Sequence, residues 1–202
     1  MPRLILFHAK HRGFTLLEVL VTLLIVSIGF LGLAGLQVTG LRSNLSADSR
    51  GQAALMVNDI IERMRANPLG VQNATASEDN AYASINSAGI SCNALPDPFC
   101  SNYNNGSVTA AADCTPKQLA AFDAWVWYCG MPVASGVHAG GIRNWLLNSS
   151  ATVSCVDSDN TDGDDCTAGS SYQISVSWQE AAIDRNTPGG TVTQTITTLA
   201  VP

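Results

Sequence analysis

Side chains able to do chemistry fall in three places along this chain. Six cysteines, Cys92, Cys100, Cys114, Cys129, Cys155 and Cys166, all lie beyond residue 90. An even count at wide spacings, with no C-x-x-C pair, argues for disulfides in an oxidising compartment rather than a zinc site. Between the last two cysteines runs VDSDNTDGDD, which crowds Asp157, Asp159, Asp162, Asp164 and Asp165 into nine residues. So many hard oxygen donors suit calcium, whose binding would relieve their mutual repulsion. Taken as the first ligand of an EF-hand, however, Asp157 puts Gly163 one place late and no Glu at the twelfth position. The other reading is a solvated acidic loop pinned by a local disulfide. The third place is a single carboxylate, Glu18, inside a run from Phe14 to Leu41 that carries no other charge. Catalysis has little to work with: His8, His11 and His138 are isolated, and no nucleophile elbow, phosphate-binding loop or zinc motif is present. The expectation is a non-enzyme with no cofactor, calcium apart.

The elements that must position these residues begin with the apolar run, long enough as a helix to cross a bilayer. The first thirteen residues hold Arg3, Lys10 and Arg12 and no acid, whereas residues 66–202 hold three bases (Lys117, Arg143, Arg185) against twelve acids, a net of -9. The basic end should therefore stay inside and the acidic remainder outside, and so acidic a domain makes nucleic acid a poor partner. A secretory signal peptide would end in a small-residue cleavage site after its apolar core, and no convincing A-x-A site follows this one. A plain membrane anchor fits the hydropathy but leaves Glu18 unexplained, since an unpaired acid at the centre of the hydrocarbon costs about 2.5 to 3.5 kcal/mol.

The stretch RGFTLLEVLV, with a basic leader ending in Gly13, then Phe14, then Glu18 at the fifth position of the run, resembles the class III signal of type IV prepilins and related pseudopilins. The resemblance implies a membrane peptidase that cuts after Gly13, methylates the new N-terminus at Phe14 and leaves the apolar stretch in place. It also implies that Glu18 pairs with the positive N-terminus of a neighbouring subunit and so sets register, its desolvation offset by the pairing.

Beyond Leu41, Ala53, Val57, Ile60 and Met64 recur at three- and four-residue spacings, as an amphipathic helix requires. The helix is expected to run from Phe14 to Ala66, about 80 Å at 1.5 Å per residue, until Pro68 and Gly70 end it. Gly29, Gly32, Gly35 and Gly40 lower its propensity, which fits either close helix packing or local melting during assembly. Residues 67–116, rich in Asn, Ser, Ala and Gly, read as a disulfide-stapled loop. A second helix is signalled at Thr115, as N-cap, and Pro116, and it carries the stripe Leu119, Phe122, Val126, Cys129. Its WVWY cluster reads as core, with a sugar-binding surface as the other use. In SYQISVSWQ, Tyr172, Ile174, Val176 and Trp178 alternate with polar residues, describing a strand with one buried face. TVTQTITTL should pair with it antiparallel after the turn TPGG, and a third strand near Ala151–Val156 completes a meander. On proximity alone, Cys92 is expected to pair with Cys100, Cys114 with Cys129, and Cys155 with Cys166.

The expected fold is thus α+β and pilin-like: a long N-terminal α-helix, apolar in its first half, packed by its second half on a small antiparallel β-sheet head. The boundaries are a leader at 1–13, a membrane and filament-core segment at 14–41, an amphipathic segment at 42–66 and a head at 67–202. SIGFLGLAGLQ, ERMRANP and YQISVSWQE, spread over most of the chain, narrow the resemblance to the PilV group of minor pilins, also called type IV pilus modification proteins. That group implies other minor pilins, the major pilin, the prepilin peptidase and the inner membrane as partners, and a role in priming pilus assembly, with a place at the filament tip. A type II secretion pseudopilin would share the leader but should have a shorter head with fewer cysteines. A dedicated adhesin or DNA-uptake pilin would need a sugar-binding or basic surface; the net of -9 argues against DNA, and exposure of Trp125 and Trp127 would favour adhesion.

Overall fold

The computed structural model describes residues 13–72, 80–104, 108–109, 112–134, 136–159, 161, 166–182 and 190–202. The chain divides into two compact units, Met1–Leu45 and Ser46–Pro202. Helix α1, Leu16–Ala66, supplies nearly all the described residues of the first. Every described residue of that unit up to Asn44 is exposed. By length and composition α1 can cross a membrane, and none of its most apolar 18-residue window is buried.

The second unit begins with the rest of α1. Its stripe Ala53, Val57, Ile60, Ile61 and Met64 is buried, as the three- and four-residue spacing requires. The helix stops at Ala66 because Pro68 has no amide to donate and disfavours helical backbone at the residue before it. Pro68 instead opens a short helix α2, Pro68–Gln72, where a missing amide costs nothing. Strand β1, Ser84–Asn86, and a 3-10 turn, Ser87–Gly89, come next, followed by a small hairpin of β2, Tyr103–Asn104, and β3, Val108–Thr109. Segment 67–116, expected as a loop, therefore carries short elements of its own.

Helix α3, Pro116–Cys129, starts as its sequence predicts: the Thr115 hydroxyl accepts from the Gln118 amide, the Gln118 side chain accepts from the Thr115 amide, and Pro116 sits at the first position. Hairpin β4, Met131–Ala134, with β5, Val137–Ala139, leads to a single turn α4, Ile142–Trp145. The three remaining strands are β6, Ser150–Val156, β7, Ser171–Ala181, and β8, Thr191–Ala200. They form the expected antiparallel meander, and β1 adds to its far edge, giving the order β1-β6-β7-β8. Tyr172, Ile174, Val176 and Trp178 of β7 all point into the core. The opposite face carries hydroxyl pairs, Ser175 with Thr197 at 3.0 Å and Ser177 with Thr195 at 2.9 Å. Such cross-strand pairs hold register between β7 and β8.

Three disulfides close: Cys92–Cys129, Cys100–Cys114 and Cys155–Cys166. The expected pairs Cys92–Cys100 and Cys114–Cys129 are therefore corrected. A helix of 14 residues separates Cys114 from Cys129, and at 1.5 Å per residue it holds them about 20 Å apart, far beyond the reach of a disulfide. The two bonds instead fasten opposite ends of α3 to the same stretch, residues 92–100.

At the C-terminus of α3 the backbone closes tightly on β5. A Cβ on Gly130 would fall 2.4 Å from the Gly140 carbonyl oxygen, and one on Gly141 would fall 2.2 Å from the Gly130 nitrogen; φ is +86° and +78° at the two. Gly130→Ala should accordingly destabilise the protein by about 2 kcal/mol or more, from left-handed strain and a backbone clash together. Urea unfolding followed by tryptophan fluorescence checks this, and a loss near zero would mean that the contact is not made.

Candidate functional site

Gly13, Phe14 and Thr15 precede α1, and Phe14 is 83% exposed. Thr15 starts the helix: its carbonyl and its hydroxyl accept from the Glu18 amide at 3.1 and 3.3 Å. Thr15 and Glu18 stand at the N-cap and N3 spacing of a capping box, a local signal that hydropathy alone passes over. Glu18 thus lies in the first turn of α1, exposed, where the helix dipole favours an acid.

A second cluster of charge forms at the other end of α1. Arg63 donates to Asp59 one turn earlier at 3.0 Å and to Asp123 of α3 at 3.1 Å. The Tyr82 hydroxyl, fully buried, donates to the other oxygen of Asp123 at 2.6 Å. Buried Asn67 donates to the Tyr82 oxygen at 3.2 Å and to the Pro116 carbonyl at 2.8 Å. Burial pushes the Asp123 carboxyl above its ordinary value, and its bonds to Tyr82 and Arg63 offset that only in part. Burial likewise pushes the Tyr82 phenol up, reinforced by Asp123. Burial alone would lower Arg63, but Asp59 and Asp123 outweigh it and hold the guanidinium above its ordinary value. In ERMRANP, then, Arg63 and Asn67 tie α1 to α3, while Arg65 and Glu62 form only a surface pair at 2.8 Å. Nothing in the sequence pairs Asp123 with Arg63, sixty residues away.

The WVWY cluster is structural. Trp125 and Trp127 are 5% and 1% exposed. The Trp125 indole donates to the Ser91 carbonyl at 3.0 Å, and the Trp127 indole donates to the Met56 carbonyl of α1 at 2.7 Å. The acid-rich loop is described only in part, since Asp162, Asp164 and Asp165 lie outside the described residues. Asp157 accepts from the Thr167 amide at 2.9 Å, the Ser170 hydroxyl at 3.2 Å and the Asp159 amide at 3.4 Å. Asp159 accepts from the Thr161 hydroxyl at 2.6 Å and from its amide at 3.0 Å. The Thr167 amide above all holds the Asp157 carboxyl below its ordinary value. Among the described residues no three His, Cys, Asp or Glu side chains are placed to share a metal ion.

Two family models match the chain. One, described as the prokaryotic N-terminal methylation motif, matches residues 8–34 and so takes in Gly13, Phe14 and Glu18. The other, described as type IV pilin Tt1218, matches residues 35–125 and takes in Arg63, Asn67 and Asp123. No curated protein and no solved structure matches the chain.

The charged cluster and the acid loop each give an expected outcome. Asp123→Ala leaves the Tyr82 hydroxyl without an acceptor and Arg63 with one carboxylate, and should cost about 3 kcal/mol in urea unfolding. A loss below about 0.5 kcal/mol would mean that the cluster contributes nothing. For Asp157, whose folded pKa is depressed, the stabilising contribution is present above the ordinary value of 3.8 and lost as pH falls through the lower folded value. The Thr167 amide proton should therefore shift upfield in NMR with a midpoint below 3.8; a midpoint at or above it contradicts the bond.

Proposed function

We propose that this chain, a type IV pilin over the span 8–125 that the two family models match, works as a minor subunit of the pilus. In this reading it joins other minor pilins in a complex that primes assembly of the major pilin, with a place at the filament tip, as the resemblance to the PilV group implies. The prepilin peptidase cuts after Gly13 and methylates Phe14. Before assembly the chain is held in the inner membrane, with Arg3, Lys10 and Arg12 inside and the disulfide-bonded unit outside. Its role is structural, with no catalytic step and no nucleic acid partner.

One observation carries the reading: a single carboxylate, Glu18, in the first turn of a helix whose next twenty-three residues are uncharged. A soluble helix has no use for that run, and a plain anchor has no use for that acid. The burial of Trp125 and Trp127 favours an assembly subunit over a sugar-binding adhesin built on those rings. The three disulfides fit a larger head than a type II secretion pseudopilin would be expected to carry.

Mass spectrometry of the N-terminal peptide, from the inner membrane and from pili sheared off the cell, is the test. The wild-type chain should give a methylated peptide beginning at Phe14 in both fractions. Glu18→Ala should be cleaved as before but fall about tenfold or more in the pilus fraction, the loss of one charge pair at about 1.4 kcal/mol or above. Processed peptide confined to the membrane points to a pseudopilin, and an uncleaved leader in both fractions sinks the pilin function altogether.

A further inference from the structure

Three of the four tryptophans are buried: Trp125, Trp127 and Trp178, at 5%, 1% and 2% exposure. Trp145 is 51% exposed, and Leu147, two residues on, is 64% exposed. Between them Leu146 is 2% exposed and has extended backbone, with φ -120° and ψ 128°. Leu146 is thus seated in the core, while Trp145, the last residue of α4, and Leu147 are exposed on either side of it.

The segment that carries them is tightly held. The Leu146 amide donates to the Ile142 carbonyl at 2.9 Å, and the Leu147 carbonyl accepts from the Gln179 amide at 2.9 Å. Asn148 has φ +46°, and its side-chain amide donates to the Gln179 side-chain oxygen at 2.8 Å. Tyr128 donates to the Ser149 carbonyl at 3.3 Å. Two large apolar side chains are thus presented to the outside by a segment that hydrogen bonds to Ile142, Gln179 and Tyr128 hold.

Their place in the unit says what they face. Gln179, which holds Leu147, is followed by Glu180, whose carboxylate accepts from the Ser46 hydroxyl at 2.8 Å. Opposite Glu180 in the sheet stands Val192, 45% exposed. Trp145, Leu147 and Val192 therefore belong to the end of the sheet at which Ser46 lies. Ser46 is five residues from Leu41, where the apolar run ends, so that even fully extended chain spans at most about 18 Å between them. The Ser46 end of the second unit is therefore joined to the end of the apolar run by that short a stretch of chain. Tryptophan with a neighbouring aliphatic side chain is the pair that settles at the headgroup level of a bilayer, where an indole finds both apolar and polar surroundings.

We propose that Trp145 and Leu147 form a lipid-contacting rim, through which the second unit rests on the membrane surface before the subunit is drawn into a filament. The inference depends on the membrane-held state described under the proposed function and adds a specific contact to it. The rim gives the head a preferred pose on the bilayer, and the contact must be released on assembly.

Trp145 reports on its own contact, because the other three indoles form a buried background. The full chain is reconstituted into phosphatidylethanolamine and phosphatidylglycerol vesicles bearing a headgroup spin label, and retention with the vesicles after an alkaline wash is checked first. Spin label should remove about a quarter of the tryptophan emission, the share of one residue among four. The loss should vanish in Trp145→Phe and shrink at least twofold in Leu147→Ala, while iodide reaches Trp145 freely in detergent and several-fold less in vesicles. If the chain is not retained by the vesicles, the membrane-held state fails and the rim with it. If the chain is retained but Trp145 is open to iodide and untouched by the spin label, the rim alone is overturned. Shielding from iodide that grows with protein-to-lipid ratio, without spin-label quenching, also overturns it and assigns the surface to a second copy of the chain.

Discussion

The second unit depends on covering one stripe of α1. Ala53, Val57, Ile60 and Met64 are at most 3% exposed, and burial of each of the three larger side chains stabilises by about 1.5 to 3 kcal/mol. Two surfaces supply the cover, since Tyr172, Ile174 and Val176 of β7 and Ala120, Ala124 and Trp127 of α3 join the same core. The Trp127 indole ties α3 to α1 by donating to the Met56 carbonyl. Covering α1 in this way creates a second requirement. The other face of α3, with Phe122, Trp125 and Val126, is apolar too and forms a separate cluster with Cys92 and Cys129. The chain meets it with segment 92–100, which has no regular structure and is stapled at Cys92 and Cys100; Phe99 packs edge-on to Phe122 at 4.9 Å. Two disulfides are thus a consequence of a helix that is apolar on both sides.

What the sequence reveals and what it hides divides along the range of the interaction. The stripe of α1, the alternation of β7 and the cap at Thr115 are written in residues within a few positions of one another, and each is found where its pattern puts it. Strand β1 is three residues long with only Ile85 buried, and its existence depends on β6, some seventy residues on. No local pattern could announce it. The same holds for Asp123, an acid set among LAAFDAWVW, which signals that a buried partner must exist without naming Arg63. The disulfides differ, because the signal was present. A helix beginning at Thr115 and carrying Cys129 in its last turn already separates Cys114 from Cys129 by its own length. Nearness in sequence and the helix conflicted, and the helix wins because its geometry is rigid.

Two carboxylates of the acid-rich loop, Asp157 and Asp159, are held by donors of that loop. The carboxylates of Asp157 and Asp159 each accept from backbone amides and hydroxyls of their own loop, which favours their charged forms. Cys155–Cys166 closes the same loop and holds its ends together. For these two acids the donors outweigh burial and mutual repulsion, and both carboxyls are held below their ordinary value. The disulfide and the donors work in the same direction, since a closed loop keeps Thr167 and Ser170 within reach of Asp157.

Magnitudes also bear on Glu18. An acid in the first turn gains about 0.3 to 1 kcal/mol from the helix dipole, whereas at the centre of hydrocarbon it would cost about 2.5 to 3.5. The dipole does not close that gap, and the run from Phe14 to Leu41 holds no base that could. In a membrane the gap is smaller, because Glu18 is only four residues from the start of the run and water reaches the headgroup region. Among packed copies of the same apolar helix no water is near, and the acid then needs a cation at its own level. Cleavage after Gly13 would create one, the amino group of Phe14, at the start of every neighbouring helix. In the filament proposed for this chain, an acid that is tolerable at the bilayer surface but costly unless paired would favour a single offset between adjacent subunits. The residue that fits the apolar run least would then set how the runs align.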